Sequence, residues 1–262
     1  MSAKSQKPPA YIADHIRRVL INGGSAPHAV EVQHFFKHEV QSRGWRTPEL
    51  RKVALRFRRT IVAEYGQDYL VQVADQLFRG EMMEEKAFAV MLLEDMTQQF
   101  GRAEFKLFES WLDRVTSWAD HDALVHYLIG PMIAADDAYL ARPPKWAKKK
   151  SIWHRRAAAV SLIHSTRQHK NFADIQRISE LLLSNDDDMV QKGLGWLLRE
   201  AAKANPEQTV AYLMTIRAHS PRLVLRTACE TLTVTKRKSV LDLKTLAPSN
   251  RSKSTRNVRR KR

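Results

Sequence analysis

A single cysteine, Cys229, is all that this 262-residue chain contains. That excludes an intramolecular disulfide and any cysteine-rich zinc site, and it suits a reducing compartment. Glycine, with 9 copies, and proline, with 10, are too scarce for a β-rich or disordered chain of this length. No apolar run approaches the length that spans a bilayer. Residues 1–10 are polar and lack the apolar stretch of a secretion signal. The chain is therefore expected to be soluble and cytoplasmic, or nucleoid-associated in a bacterium, and to have no membrane partner. Walker, GxGxxG, GxSxG and HExxH patterns are also missing. No cluster of His, Asp and Glu has metal-ligand spacing, so neither a metal nor a cofactor is expected.

Acidic residues are in deficit: 28 Asp and Glu stand against 44 Lys and Arg, a formal net charge of +16. An excess of this size favours a polyanionic partner, nucleic acid first and an anionic membrane surface second. The excess is uneven. Residues 236–262 hold 11 Lys and Arg and one acid, Asp242, which is +10 and leaves +6 for the other 235 residues. From Ala247 onward there is too little apolar side chain to offset ordering entropy, so residues 247–262 are expected to form a disordered basic tail.

Hydrophobic residues make up 44% of the chain and recur at helical spacing from about residue 9 to about residue 246. Punctuation falls between these segments, at Gly23-Gly24, Gly44, Thr47-Pro48, Gly80, Gly101, Pro143-Pro144, Asn205-Pro206 and Ser220-Pro221. Thr47-Pro48-Glu49 and Ser220-Pro221 have the form of an N-cap followed by proline at the first helical position. Roughly a dozen helices are expected.

A repeat underlies these segments. Lys52, Lys86, Asp122, Arg156, Lys192 and Arg226 are separated by 34, 36, 34, 36 and 34 residues, and each is followed by a small or β-branched residue. A fixed period in this range marks stacked helix pairs, none of which can bury its apolar face alone. The expected fold is all-α: a curved solenoid of HEAT-like helix pairs over residues 1–246, with a concave basic face. Five of the six row positions are cations, a spacing that suits a phosphate backbone. The plainer reading is six solvated charges at helix starts.

Asp122 breaks the row. A carboxylate there opposes phosphate binding, which makes it a candidate for chemistry. Trp118 lies four residues earlier, on the same helical face, and Trp196 lies four residues after Lys192. Either tryptophan could instead be a core aromatic. Asp120 competes with Asp122, and one of the two is expected to serve only as an N-cap. His121 and His126 are expected at the surface or in local hydrogen bonds.

Four segments carry a family resemblance. Residues 191–206 read QKGLGWLLREAAKANP, residues 152–158 IWHRRAA, residues 118–122 WADHD and residues 43–48 RGWRTP. Together they resemble the HEAT-like-repeat alkylpurine DNA glycosylases of the DNA alkylation repair (AlkD-type) family, over roughly residues 30–235. The resemblance implies a monomeric, monofunctional glycosylase of base excision repair, acting on double-stranded DNA with cationic alkylated purines such as 7-methylguanine and 3-methyladenine. By the same likeness Asp122 is the catalytic carboxylate, Trp118 and Trp196 flank the lesion nucleotide, and Arg156 lies in the groove. Lys192, Arg199, Lys52 and Lys86 are expected to contact DNA. Phe35 stands where the family often has a DNA-contacting tyrosine, and lacks its hydroxyl. The alternatives are a non-catalytic HEAT-repeat protein that binds DNA structures and a HEAT protein-interaction scaffold. The basic tail generates a first prediction: deleting residues 247–262 weakens DNA affinity and flattens its dependence on salt, leaving lesion preference unchanged. A changed set of excised lesions contradicts this division of labour.

Overall fold

The computed structural model describes residues 7–168 and 172–242, so the tail expected at 247–262 lies outside the described residues. Every regular element among these residues is helical. Six helices begin the repeating units: Thr47–Tyr65, Met83–Leu93, Trp118–Leu124, Ile152–Val160, Asp188–Ala204 and Arg222–Ala228. We call them the inner helices, first to sixth. Each packs against the next along the chain, which makes the molecule an α-solenoid-like stack. The second helix of successive units is Gln67–Phe78, Arg102–Trp111, Gly130–Ala135, Phe172–Leu182, Pro206–Ile216 and Val234–Leu241. An N-terminal helix, Pro9–Gly23, packs on Gln67–Phe78.

The 34/36 period corresponds to one helical register. Asp122, Arg156, Lys192 and Arg226 each stand four residues beyond the first residue of their inner helix. Lys86 stands three beyond and Lys52 five beyond. The small residue after the fifth charge, Gly193, shows what the repeat gains from it. A Cβ built on Gly193 lies 3.0 Å from Arg156 Cγ, so the fourth and fifth inner helices meet with no room for a side chain. One continuous apolar cluster runs from Ala13 to Val240. Its largest members include Trp111 and Phe78, which stack at 4.3 Å.

Helix starts differ from expectation in detail. Thr47 is already the first helical residue, and the cap position, Arg46, makes no side-chain cap bond. Pro221, not Ser220, caps Arg222–Ala228, while the Ser220 hydroxyl donates back to the Ile216 carbonyl at 2.9 Å. Proline preorganises both starts from within or beside the first turn, so no serine or threonine cap is needed. The third unit is the most broken. A π-helical turn, Val125–Ile129, follows Trp118–Leu124 directly and leads into Gly130-Pro131. Pro131 has no amide hydrogen to continue an α-helical ladder, and such turns concentrate near functional sites.

One corner was not legible as punctuation. Gly66 alone separates the first inner helix from Gln67–Phe78, with φ 85° and ψ 177°. That backbone region is essentially reserved for glycine. No atom lies within 4 Å of a Cβ built there, so substitution tests backbone strain without a clash. Gly66→Ala is expected to lower the free energy of unfolding by about 1–3 kcal/mol. A urea titration with an unchanged midpoint contradicts this reading of the corner.

Candidate functional site

The site lies at the start of the third inner helix. Ser117 caps it, accepting from the Asp120 amide at 3.2 Å. Asp120 is not an N-cap. Its buried carboxylate accepts from the Thr116 amide and hydroxyl, at 3.2 and 2.8 Å, and from Lys86 Nζ at 3.3 Å. Of the two competing acids, Asp120 is therefore the structural one, acting as a buried brace rather than as a cap.

Asp122 is bound from two sides. Arg156 Nε donates to Oδ1 at 2.9 Å and Nη2 to Oδ2 at 2.8 Å, a bidentate pair between consecutive inner helices. His121 Nδ1 lies 2.7 Å from Oδ1. A carboxylate offers about four lone-pair sites; Oδ1 uses two and Oδ2 one. The Asp122 side chain remains 22% exposed, and Oδ2, with one bond, keeps an acceptor site that no described protein group fills. The bonds from His121 and Arg156 outweigh the opposing effect of burial and hold the carboxyl at a pKa of about 2. It is a carboxylate at any pH a cell maintains.

Arg156 reaches further. Its Nη1 donates to the Met189 carbonyl at 2.5 Å, at the start of the fifth inner helix. It also lines a cavity of about 760 Å³ that Phe35, Phe36, Trp118, Trp153, Asp188 and Lys192 help to enclose. A non-helical strap, residues 34–46, passes over this cavity. Its root is fixed by Glu84, which accepts from Ser42 Oγ at 2.8 Å and from the Arg43 and Gly44 amides at 2.9 Å. Near its tip Phe36 stacks on Trp118 at 4.9 Å and 15°, and Lys37 Nζ pairs with Asp188 at 3.4 Å.

The structure brings some of the expected residues together and separates others. Arg156, Trp118, Lys192 and the 75%-exposed Phe35 line the cavity, and Asp122 is joined to it through its pair with Arg156 rather than lining it. Lys52 and Arg226 are exposed on the first and sixth inner helices. Lys86 corrects an expectation: it is buried, with its ammonium bound to the Arg114 carbonyl, Thr116 Oγ1 and Asp120, and it cannot meet a phosphate there. Arg199 is likewise turned toward Glu230, with which it forms an ion pair. Trp196 does not line the cavity; its ring lies 5.6 Å from His126. His126 is no surface histidine either: burial, with the nearby His164, pushes its pKa down to about 4.

Three contributors escaped sequence reasoning. His121 makes the local bond that was one of its two expected roles, but it is wholly buried, and its hold on Asp122 was not foreseen. Trp153 lines the cavity, and Phe36, rather than Phe35, covers Trp118. The pattern IWHRR at 152–156 carried the signal for Trp153, since it stands three residues before Arg156 on the same helix. Among the described residues no group of His, Cys, Asp and Glu could hold a metal ion, and no helix is long and apolar enough to cross a membrane.

A stack of helix pairs with a bidentate Asp–Arg pair at one register, flanked by tryptophans and exposed cations, defines the class: an α-solenoid-like protein with a fixed carboxylate near an aromatic-lined cavity. Residues 16–232 match the family described as DNA alkylation repair enzyme, and the chain belongs to that family. A solved structure described as a predicted DNA alkylation repair enzyme from Enterococcus faecalis superposes with a TM-score of 0.72 at 18% identity. It covers 80% of this chain and 97% of its own. A protein from Streptococcus mutans UA159 superposes with a TM-score of 0.51 at 16% identity, over 70% of this chain and all of its own. At these identities the likeness is one of fold. No curated protein matches the chain.

The Asp122–Arg156 pair makes stability depend on acid. A carboxyl whose folded pKa is depressed contributes stability above its unfolded pKa, near 4, and loses it as pH falls through the folded value. Asp122→Asn is expected to be less stable than the parent at pH 5. The gap should narrow by about 2 kcal/mol as pH falls toward 2. An equal gap at both ends of that range contradicts the assignment.

Proposed function

We propose that this protein is a monofunctional DNA glycosylase that hydrolyses the N-glycosidic bond of cationic alkylated purines, the first step of base excision repair. The observation that carries the reading is the free acceptor site on Asp122 Oδ2, on a carboxylate that Arg156 and His121 fix in place. Alkylation at N7 or N3 leaves a positively charged base that departs without protonation. Its departure builds oxocarbenium character on the deoxyribose. A carboxylate already oriented toward that charge stabilises it without reorganising. The same oxygen can accept a proton from the attacking water.

The surroundings support this reading. Trp118 is 37% exposed at the cavity and presents a π face to a cationic nucleotide, an attraction of roughly 0.5–2 kcal/mol. With Phe36 stacked on it in the free protein, a nucleotide must displace that ring or stack beyond it. Lys52, Lys192 and Arg226 are exposed cations on the inner helices, placed to bear on phosphates while the paired acid faces the sugar. The lysines of the cavity lining, Lys37 and Lys192, are exposed, and Lys37 is paired with Asp188, so neither is the desolvated amine that Schiff-base chemistry uses, in keeping with hydrolysis rather than strand cleavage.

The test is release of 7-methylguanine from alkylated duplex DNA under single-turnover conditions. The parent protein should release the base, and Asp122→Asn should lose about 10²–10³-fold in rate with DNA affinity retained. Equal release by the two proteins overturns the role of Asp122. DNA binding with no release by the parent favours a non-catalytic binder on the same fold.

A further inference from the structure

We propose that His121 is a positioning residue for Asp122: its Nδ1–H holds Oδ1 so that Oδ2 keeps its free acceptor site toward the substrate. This rests on the reading of Asp122 above and adds to it. Side chains of adjacent helical residues diverge and do not ordinarily bond to each other. Here they do, at 2.7 Å, because packing against the fourth inner helix fixes the wholly buried His121 ring. Its Nε2 lies 3.1 Å from the Trp153 carbonyl, and the Trp153 ring stands 5.8 Å away. Both atoms belong to the fourth inner helix, which also supplies Arg156. One helix thus holds Asp122 twice, directly through Arg156 and indirectly through the histidine.

The ring is completely buried, and the charged groups that face it are Asp122 on its own helix and Arg156 on the fourth. Both ring nitrogens look at acceptors, so only an imidazolium makes both bonds. Burial and the Arg156 guanidinium oppose that form and push the pKa below the usual histidine value, against the pull of Asp122. With the ring neutral, Asp122 and Arg156 cancel. With the ring charged, the trio carries a net positive charge beside a sugar that is itself becoming positive. The neutral ring, with its proton on Nδ1, is the working form, so the rate should fall as acid charges it.

Two near-isosteres separate positioning from mere cross-linking of helices. Asparagine places an amide nitrogen where Nδ1 sits, and glutamine places one where Nε2 sits. His121→Asn keeps the donor to Asp122; His121→Gln lacks it and directs its amide toward the Trp153 carbonyl instead. Single-turnover release of 7-methylguanine from saturated duplex should fall on the order of 10²-fold in His121→Gln, with DNA affinity unchanged, and only a few-fold in His121→Asn. The opposite ranking overturns the proposal. Measurements on the parent protein serve even if a variant fails to fold. Its rate should decline in acid with one proton, at a pH below the ordinary histidine range, and a ¹⁵N-histidine spectrum should show the buried ring titrating at the same midpoint. A buried ring that titrates with no change in rate also overturns the proposal. If Asp122→Asn retains full activity, the underlying reading fails. If Asp122→Asn is inactive while His121→Gln matches the parent, only the role of His121 fails.

Discussion

In the middle of the stack, successive inner helices approach so closely that a charge buried at the repeat register must find its partner on a neighbouring helix. Stranding a buried charge costs several kcal/mol, and the middle of the stack shows how this is met. Lys86 on the second inner helix reaches Asp120 on the third. Asp122 on the third is met by Arg156 on the fourth. Arg156 then extends to the Met189 carbonyl on the fifth, across the space that Gly193 leaves open. A single guanidinium thereby ties three units together, and the position of the candidate carboxylate follows from it.

The six row positions consequently divide. Lys86, Asp122 and Arg156, in the centre, are consumed by pairing, whereas Lys52, Lys192 and Arg226, toward the ends, remain exposed. The centre is close to electrically neutral and holds one fixed anion with a spare acceptor site. The flanks carry the positive field. In the proposed function, a backbone polyanion is drawn to the flanks and not repelled at the centre, because the acid there is already paired. On that reading, binding and chemistry share one register of the repeat without opposing each other.

The period of the repeat was legible because it reflects helix starts, which recur wherever the packing recurs. Asp122 stood out as the one acid in that row, and its partner Arg156 was readable as the next position along. Depth was not legible. Periodicity places Lys86 and Lys192 on equivalent faces, but only the packing shows that Lys86 is buried on Asp120 while Lys192 is free. A local bond was one of the two roles expected of His121, but its burial and its partner Asp122 were not legible, since a bond between adjacent helical residues is not a pattern that spacing suggests. The contact between Phe36 and Trp118 joins residues 82 positions apart and comes from a segment without helical periodicity. Gly66 was overlooked because one glycine between two strong helical patterns reads as a tolerated interruption rather than as a corner.

A stack of helix pairs is nearly one-dimensional: its stability is a sum of neighbour terms, and its ends are free to fray. The strap at residues 34–46 departs from that rule. It leaves the chain before the first inner helix, is fastened at the second through Glu84, lies on the third through Trp118 and touches the fifth through Asp188. Opening any middle unit therefore also requires releasing a segment that belongs to the beginning of the chain. The strap thus ties the start of the chain to three units of the stack, so opening the units around the carboxylate also breaks contacts made from outside the row.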